Sequence, residues 1–317
     1  MADLRHLIAV DWGTTSLRAA LMAPDGRVLD RRGGADGIMA MAGRGYPEVL
    51  ADLVGAWRAA HPGAPILLSG MVGSRQGWRE APYVPCPAGA ADLAAGLTAV
   101  EAGPLGTALI VPGLSHEPAG GAPDVIRGEE VQVFGALRRA GIDSGLFVLP
   151  GTHSKWAAVE GGRIVRFHTF MTGEIYGCLR RHSILGRLMP DDESETEPDL
   201  AAFDRGAAVA LEGGAPLNAL FSARTLGLFG ALPPEALPAY LSGLLIGEEV
   251  REALALAGDR PTEVHLIARP DLAALYARVL GRLGVASGRV EDAAFLGLHD
   301  LARTGGLLAE PTQGRPR

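Results

Sequence analysis

The sequence predicts an α/β protein built as two similar lobes with a cleft between them. Three observations carry this. The 317 residues exceed what one core usually spans and suit two domains of about 150 residues. Apolar strand-like runs alternate with helical patterns, as in mixed α/β layers. One segment also occurs twice, as "IAVDWGTTSLRAALMAPDGRVLDRRG" from Ile8 and "LFVLPGTHSKWAAVEGGRIVRFHTF" from Leu146. Each copy leaves an apolar strand through Gly-Thr-x-Ser, Gly13 to Ser16 or Gly151 to Ser154. It continues through a second strand, a Gly-Arg turn (Gly26-Arg27 or Gly162-Arg163) and a third strand. Glycine turns between alternating runs read as hairpins. Each half therefore opens on a three-stranded meander, and two copies make two lobes rather than a solenoid.

The remaining elements follow in order. In the first lobe, expected over residues 1–143, "YPEVLADLVGAWRAA" (46–60) reads as a helix, and "APILLSG" (64–70) and "TALIVPGL" (107–114) as strands. "GEEVQVFGALRRAG" (128–141) reads as a helix closed by Gly141. In the second lobe, expected over 144–300, residues 240–258 read as a helix, 263–268 as a strand and 271–284 as a helix. The acidic stretch "MPDDESETEPDL" (189–200) is expected to be an exposed loop, and 301–317 a tail disordered from Glu310.

Composition narrows the function classes. Apolar residues make up 48% of the chain, enough for a core in each half, and the net charge is −7. With no basic block interleaved with aromatics, nucleic acid is not an expected partner. Two cysteines far apart, with no Cys-x-x-Cys pair, argue against a disulfide framework or a structural zinc site. The first apolar run is short and broken by Asp11, unlike a signal peptide, and no run is long enough to cross a bilayer. A cytoplasmic protein with no membrane partner is the expectation. Basic residues are almost all arginine: 28 of them against one lysine, Lys155. Such a bias suggests that a compact ammonium is needed at that position.

A tight Gly-Thr hairpin aims backbone N–H groups and hydroxyls at one spot, an anion nest built without a helix. Two such turns, one per lobe, would grip a polyphosphate, with Gly13, Thr14 and Thr15 on one side and Gly151, Thr152, His153 and Lys155 on the other. Asp11, just before the first turn, is placed to hold Mg²⁺ directly or through water. Lys155 would neutralise charge on the β- or γ-phosphate, although its strand register allows it to face either way. His153 also reads as a hydrogen-bonded turn residue.

These turns, "AVDWGTTSLR" and "LPGTHSKW", resemble the first and second phosphate motifs of the actin, Hsp70 and sugar-kinase fold. Together with "SGMVGSRQGWREAPYVPCPA", "DVIRGEEVQVFG", "HTFMTGEIYGCLRRHSIL" and "LIGEEV", they resemble the 2-dehydro-3-deoxygalactonokinase family from residue 7 to about 285. The resemblance implies the actin-like ATPase (ribonuclease H-like) fold with its active site in the interlobe cleft. It implies ATP and Mg²⁺ as cofactors and a small sugar acid as partner. The reaction would be phosphorylation of the 6-hydroxyl of 2-dehydro-3-deoxy-D-galactonate in galactose or galactonate breakdown. The final helix, near 291–303, would pack back on the first lobe. Homo-oligomer formation is left open.

The motifs distribute roles. "GMVGSRQGW" (70–78) follows a strand, where a substrate loop is expected. Arg75 is the natural bidentate partner for the acid's carboxylate, Ser74 and Gln76 could bond hydroxyls, and Trp78 could stack. In "PDVIRGEE" (123–130), Arg127 joins the substrate-binding set. Kinases of this fold place a carboxylate near the sugar hydroxyl at the start of a first-lobe helix. Asp124 is the expected base, with Glu129 and Glu130 next. Its work would be mostly orientation, because positioning and charge neutralisation dominate phosphoryl transfer. The other reading makes Asp124 a helix cap and the two glutamates a solvated first turn. In "TFMTGE" (169–174), Thr172 and Glu174 line the cleft floor, or Thr172 is strand-end packing.

One segment departs from the family pattern. Where a paired-glycine turn is expected beside adenosine, the chain has Ala268, Arg269 and Pro270. Ala268 is small, and Arg269 could stack on adenine. No Walker A, Rossmann, zinc-protease or nucleophile-elbow motif occurs. The rival readings are a kinase for another acid such as 2-dehydro-3-deoxygluconate or for an anhydro-sugar, an ATP-dependent switch protein of the same fold, and a binding protein with a decayed site.

Overall fold

The computed structural model describes residues 6–41, 43–118, 120–191, 198–258 and 261–308. It divides into two compact units, Met1–Gly145 with Ala157–Phe167 and Val290–Arg317, and Leu146–Trp156 with His168–Arg289. The expected disordered tail from Glu310 and the middle of the acidic loop, 192–197, lie outside the described residues.

The first unit opens on β1 (Leu7–Trp12), β2 (Leu17–Met22) and β3 (Val28–Gly34), followed by α1 (Tyr46–Ala60) and β4 (Ile66–Ser69). Short elements follow: β5 (Tyr83–Pro85), β6 (Ala88–Gly89), α2 (Ala90–Ala95), β7 (Thr98–Glu101), β8 (Thr107–Ile110), β9 (Gly113–His116) and β10 (Asp124–Ile126). Then comes α3 (Glu129–Ala140). The main sheet has the order β3-β2-β1-β4-β8-β7. β1 is the central strand of this set. It runs antiparallel to β2 with Asp11 opposite Arg18, and parallel to β4 with Asp11 beside Ser69. All its side chains are buried, with Ile8, Val10 and Trp12 in the core formed with Val49, Leu50, Val54 and Trp57 of α1. Burial of this kind contributes about 1.5–3 kcal/mol per large apolar side chain.

The second unit begins with the end of β11 (Gly145–Leu149). It then has parts of β12 (Ser154–Glu160) and β13 (Arg163–Phe170), α4 (Thr172–His182), α5 (Leu200–Leu211), α6 (Pro216–Leu228), α7 (Leu237–Ala257), β14 (Glu263–Leu266), α8 (Pro270–Arg282) and β15 (Ala286–Arg289). Its strands run in the order β15-β14-β11-β12-β13. Read from the third meander strand, this is the same 3-2-1-4-5 order as β3-β2-β1-β4-β8. The sequence repeat is thus a repeat of topology. α7 packs on α5 at glycine contacts: a Cβ on Gly206 would lie 2.1 Å from Tyr240 O, and one on Gly243 would lie 2.0 Å from Phe203 O. That close crossing brings α7 against a core of Val148, Trp156, Phe203, Tyr240 and Tyr276.

Several expectations are corrected. Residues 107–114 form two strands in different sheets, because Pro112 has no N–H to continue a ladder. The helix expected from 240 starts at Leu237, with Pro238 tolerated in its first turn. The acidic loop ends in the cap of α5, where Asp199 accepts from the N–H groups of Ala201 and Ala202. Thr172 starts α4 and is not strand-end packing. The last helix, α9 (Ala293–Thr304), packs back on α3 of the first unit, as expected of it.

Candidate active site

In the first unit, Asp11 lies near the end of β1, where the Gly13–Ser16 turn begins. The turn closes through Gly13 N–H to Ser16 O at 2.9 Å, and Thr14 and Thr15 face solvent. The Asp11 carboxylate is 11% exposed and pairs with Arg18 Nη2 at 2.5 Å. Gly70, after β4, reaches the same strand end. It has φ +91, and a Cβ there would sit 2.8 Å from Trp12 O and 3.4 Å from Asp11 Oδ1. Gly128, the cap residue of α3, has φ +102, and its Cβ would fall 3.0 Å from the Gly70 Cα. Only glycine at both positions lets the start of α3 approach Asp11 this closely.

The three candidate bases separate in this frame. Asp124 is not a helix cap: it sits in β10 opposite His116, half-buried, with Oδ1 accepting from Val125 N–H at 2.7 Å. The start of the helix is held by Glu129 and Glu130. They do not form a solvated first turn. Glu130 is fully buried, with both carboxylate oxygens 2.8 Å from the Gly128 N–H. Burial, aided by the Glu129 charge, pushes its carboxyl up to about 8. Glu129 is half-buried, and its Oε2 accepts from Arg127 N–H at 2.9 Å.

The substrate-binding residues also divide. Arg75 and Gln76 are exposed. Trp78 already stacks on Tyr46, with centroids 5.6 Å apart and planes at 8°, and it packs against the core. Arg127 and Ser74 are different. Arg127 is buried over the Tyr83 ring, 4.3 Å from its centroid, and donates from Nη2 to Ala81 O at 2.8 Å. Among the described residues its Nε and Nη1, and the Ser74 hydroxyl, are buried polar atoms without a hydrogen-bond partner. Such groups are rare in folded proteins and call for an explanation.

In the second unit, the Gly151–Ser154 turn packs on the first turn of α4. Thr152 O accepts from Glu174 N–H at 2.9 Å, His153 Nε2 lies 2.5 Å from Glu174 Oε2, and a Cβ on Gly173 would lie 2.4 Å from Gly151 O. A cavity of about 1030 Å³ within this unit is lined by Gly151, Thr152, Thr172, Gly173, Arg269 and Tyr276, among others. Thr172 thus joins the phosphate turn of its own unit, with Glu174 beside it. Lys155 is buried, and its Nζ donates to Thr169 Oγ1 at 2.9 Å. Ala268 packs against the core. Arg269, at the start of α8, is exposed and pairs with Asp271 at 3.1 Å. Glu249, in the "LIGEEV" segment of α7, is a residue the motif reading gave no role. It is buried beneath the turn and accepts from Trp156 Nε1 at 2.8 Å and Tyr276 OH at 2.6 Å. A paired Glu-Glu on an apolar helix was the only available signal.

Among the described residues no three His, Cys, Asp or Glu side chains form a metal cage. A lone Asp11 suits Mg²⁺, which keeps most of its waters and takes phosphate oxygens as its other ligands. Among the same residues, no helix is long and apolar enough to cross a membrane.

Comparison with known proteins places the chain. A family model for 2-keto-3-deoxy-galactonokinase matches residues 11–301. The chain is 36% identical over 306 residues to the probable 2-dehydro-3-deoxygalactonokinase of Rhizobium meliloti (strain 1021), covering 96% of this chain and 98% of that protein. It is 37% identical over 279 residues to the 2-dehydro-3-deoxygalactonokinase of Escherichia coli (strain K12), covering 87% and 90%. A crystal structure from Sinorhizobium meliloti, assigned to the same activity, superposes with a TM-score of 0.85 at 37% identity, covering 94% of this chain and 98% of the other. The activator of 2-hydroxyisocaproyl-CoA dehydratase from Clostridium difficile, solved with ADPNP, shares the fold alone, with a TM-score of 0.51 at 10% identity over 95% and 96% of the chains. By motif and by similarity over nearly the whole chain, this chain belongs to the 2-keto-3-deoxy-galactonokinase family.

Proposed function

We propose that the chain transfers a phosphoryl group from ATP to the 6-hydroxyl of 2-dehydro-3-deoxy-D-galactonate, as a step in galactonate breakdown. The observation that carries the substrate class is Arg127, whose buried guanidinium has two nitrogens awaiting an acceptor beside the equally unpartnered Ser74 hydroxyl. A carboxylate is the class of ligand that satisfies a buried guanidinium with unmet donors. This moves the acid's anchor from Arg75, which is solvated, to Arg127. The nucleotide reading rests on the second-unit cavity, which reaches the Gly151-Thr152 turn and has room for a nucleoside and its phosphates.

Within this reading each residue has a task. ATP supplies the phosphoryl group, and Mg²⁺ on Asp11 would offset its charge. Thr14 and Thr15, on a turn that Gly13 closes through Ser16 O, and Gly151 to His153 present donors to phosphate oxygens. Lys155 uses one of its three ammonium donors on Thr169 and has two for an anion. Glu129 is the proton acceptor we favour. It occupies the first position of α3 and is half-buried, whereas Glu130 is enclosed and Asp124 lies on a strand upstream. Holding the hydroxyl in line matters more than its basicity, because the proton leaves late in a loose transition state.

The test is ADP release with 2-dehydro-3-deoxygalactonate and with its gluconate epimer, each with and without Mg²⁺. Magnesium-dependent turnover of the galacto acid is expected. Turnover of the gluconate epimer alone would transfer the assignment to that acid, and turnover of neither would overturn it.

A further inference from the structure

Beneath the second-unit phosphate turn lies a closed set of hydrogen bonds around one carboxylate. Glu249 of α7 is 2% exposed. Trp156 Nε1 donates to one oxygen at 2.8 Å and Tyr276 OH to the other at 2.6 Å. The Thr172 and Ser154 hydroxyls also reach it. Ser154 Oγ lies 2.9 Å from Tyr276 OH as well, so the two hydroxyls and the carboxylate form one hydrogen-bonded group. Ser154 ends the Gly-Thr-His-Ser turn, Thr172 starts α4, and Thr172 and Tyr276 both line the 1030 Å³ cavity.

We infer that Glu249 is a positioning residue for the nucleotide: from behind the turn it sets the hydroxyls of Thr172, Tyr276 and Ser154. It thereby fixes the Gly151–Ser154 turn against the first turn of α4 and the wall of the cavity. This rests on the reading of that cavity as the ATP site.

Three features support the assignment. A buried carboxylate is costly unless its lone pairs are satisfied, so its retention inside an otherwise apolar helix face needs a purpose. Its partners come from three elements, β12, α4 and α8, each of which borders the cavity or the turn. The donors act in the expected sense: burial raises the Glu249 carboxyl, and the hydrogen bonds from Thr172, Tyr276 and Trp156 oppose that rise.

Glu249→Gln keeps the shape and inverts one bond. Trp156 can only donate, so the new amide NH₂ must face Tyr276 or Thr172, and one hydroxyl has to turn away. Tyr276→Phe removes the hydroxyl and with it both the bond to Glu249 and the link to Ser154. We would titrate wild type, Glu249→Gln and Tyr276→Phe with a non-hydrolysable ATP analogue by calorimetry, and measure KM for both substrates alongside thermal unfolding. Expected are about tenfold weaker analogue binding and a matching rise in ATP KM for Glu249→Gln. Sugar-acid KM should stay within about twofold, and Tyr276→Phe should shift ATP binding the same way by about threefold. Unchanged analogue affinity in a folded Glu249→Gln protein, or an equal rise in both KM values, would overturn the inference while the ATP site stands. Should Glu249→Gln not fold, unchanged affinity in Tyr276→Phe has the same meaning. A wild-type protein that binds no analogue would remove the ATP-site reading, and this inference with it.

Discussion

The two Gly-Thr turns share a pattern and a topology but differ in where the charge sits. Aligned on Gly13 and Gly151, Asp11 corresponds to Leu149, Leu17 to Lys155 and Arg18 to Trp156. In the first unit the carboxylate belongs to the strand before the turn and is matched across β2 by an exposed arginine. In the second that strand position is a buried leucine, and the carboxylate comes from α7, held by the tryptophan in the arginine's place. One scaffold therefore carries two solutions. The first unit sets its acid just before a turn, paired with an arginine that reaches solvent, and the second buries its acid behind the turn among hydrogen-bond donors.

Five substitutions test this contrast. Asp11→Asn removes the presented charge and is expected to lower kcat by about 10²–10³-fold, the scale of losing one electrostatic contact in a transition state. The Tm should stay within a few degrees. Near-normal kcat would take Asp11 out of the site. Next in size, Arg127→Lys keeps a cation but loses the planar fork, so KM for the sugar acid should rise about 10- to 100-fold with ATP KM unchanged. Arg75→Ala should change it less than about threefold. The reverse ranking would return the carboxylate to Arg75.

Glu130 gives a pH test of the first unit's other acid. Its folded-state carboxyl is raised to about 8, against 4.5 for an ordinary glutamate. Between those values the folded protein holds a proton that the unfolded chain has released, so this group's contribution to stability falls as pH rises from about 4.5 through 8. Glu130→Gln should flatten that part of the profile in urea melts at pH 5, 6, 7 and 8. Parallel profiles for both proteins would mean that Glu130 is ionised throughout. The smallest effect belongs to Arg18→Ala: an ion pair whose arginine is 61% exposed should cost no more than about 1 kcal/mol, measurable by chemical denaturation. A larger loss would make the pair a structural feature of the first turn rather than a loose partner for Asp11.

The local signals in the chain were strong wherever structure depends on near neighbours. The residues 46–60 helix appears with those bounds, α3 stops at the left-handed Gly141, and both meanders are present. The sequence also marked Asp11, both Gly-Thr turns, Arg127 and the lone Lys155 as groups to watch. It did not reveal the helices of 200–228; in the second of them, α6, the apolar residues are spread around the axis rather than along one stripe.

By itself, then, the sequence determined the repeat, the two meanders and the family, because these are written in spacing and residue type along the chain. Tertiary structure alone decided which arginine is buried with unmet donors, that Asp124 lies on a strand while Glu129 starts the helix, and that Glu249 gathers Trp156, Thr172 and Tyr276 around one carboxylate. Each of those outcomes depends on burial and on partners distant in the chain. Desolvation is set by the whole fold around a group, and no local pattern encodes it.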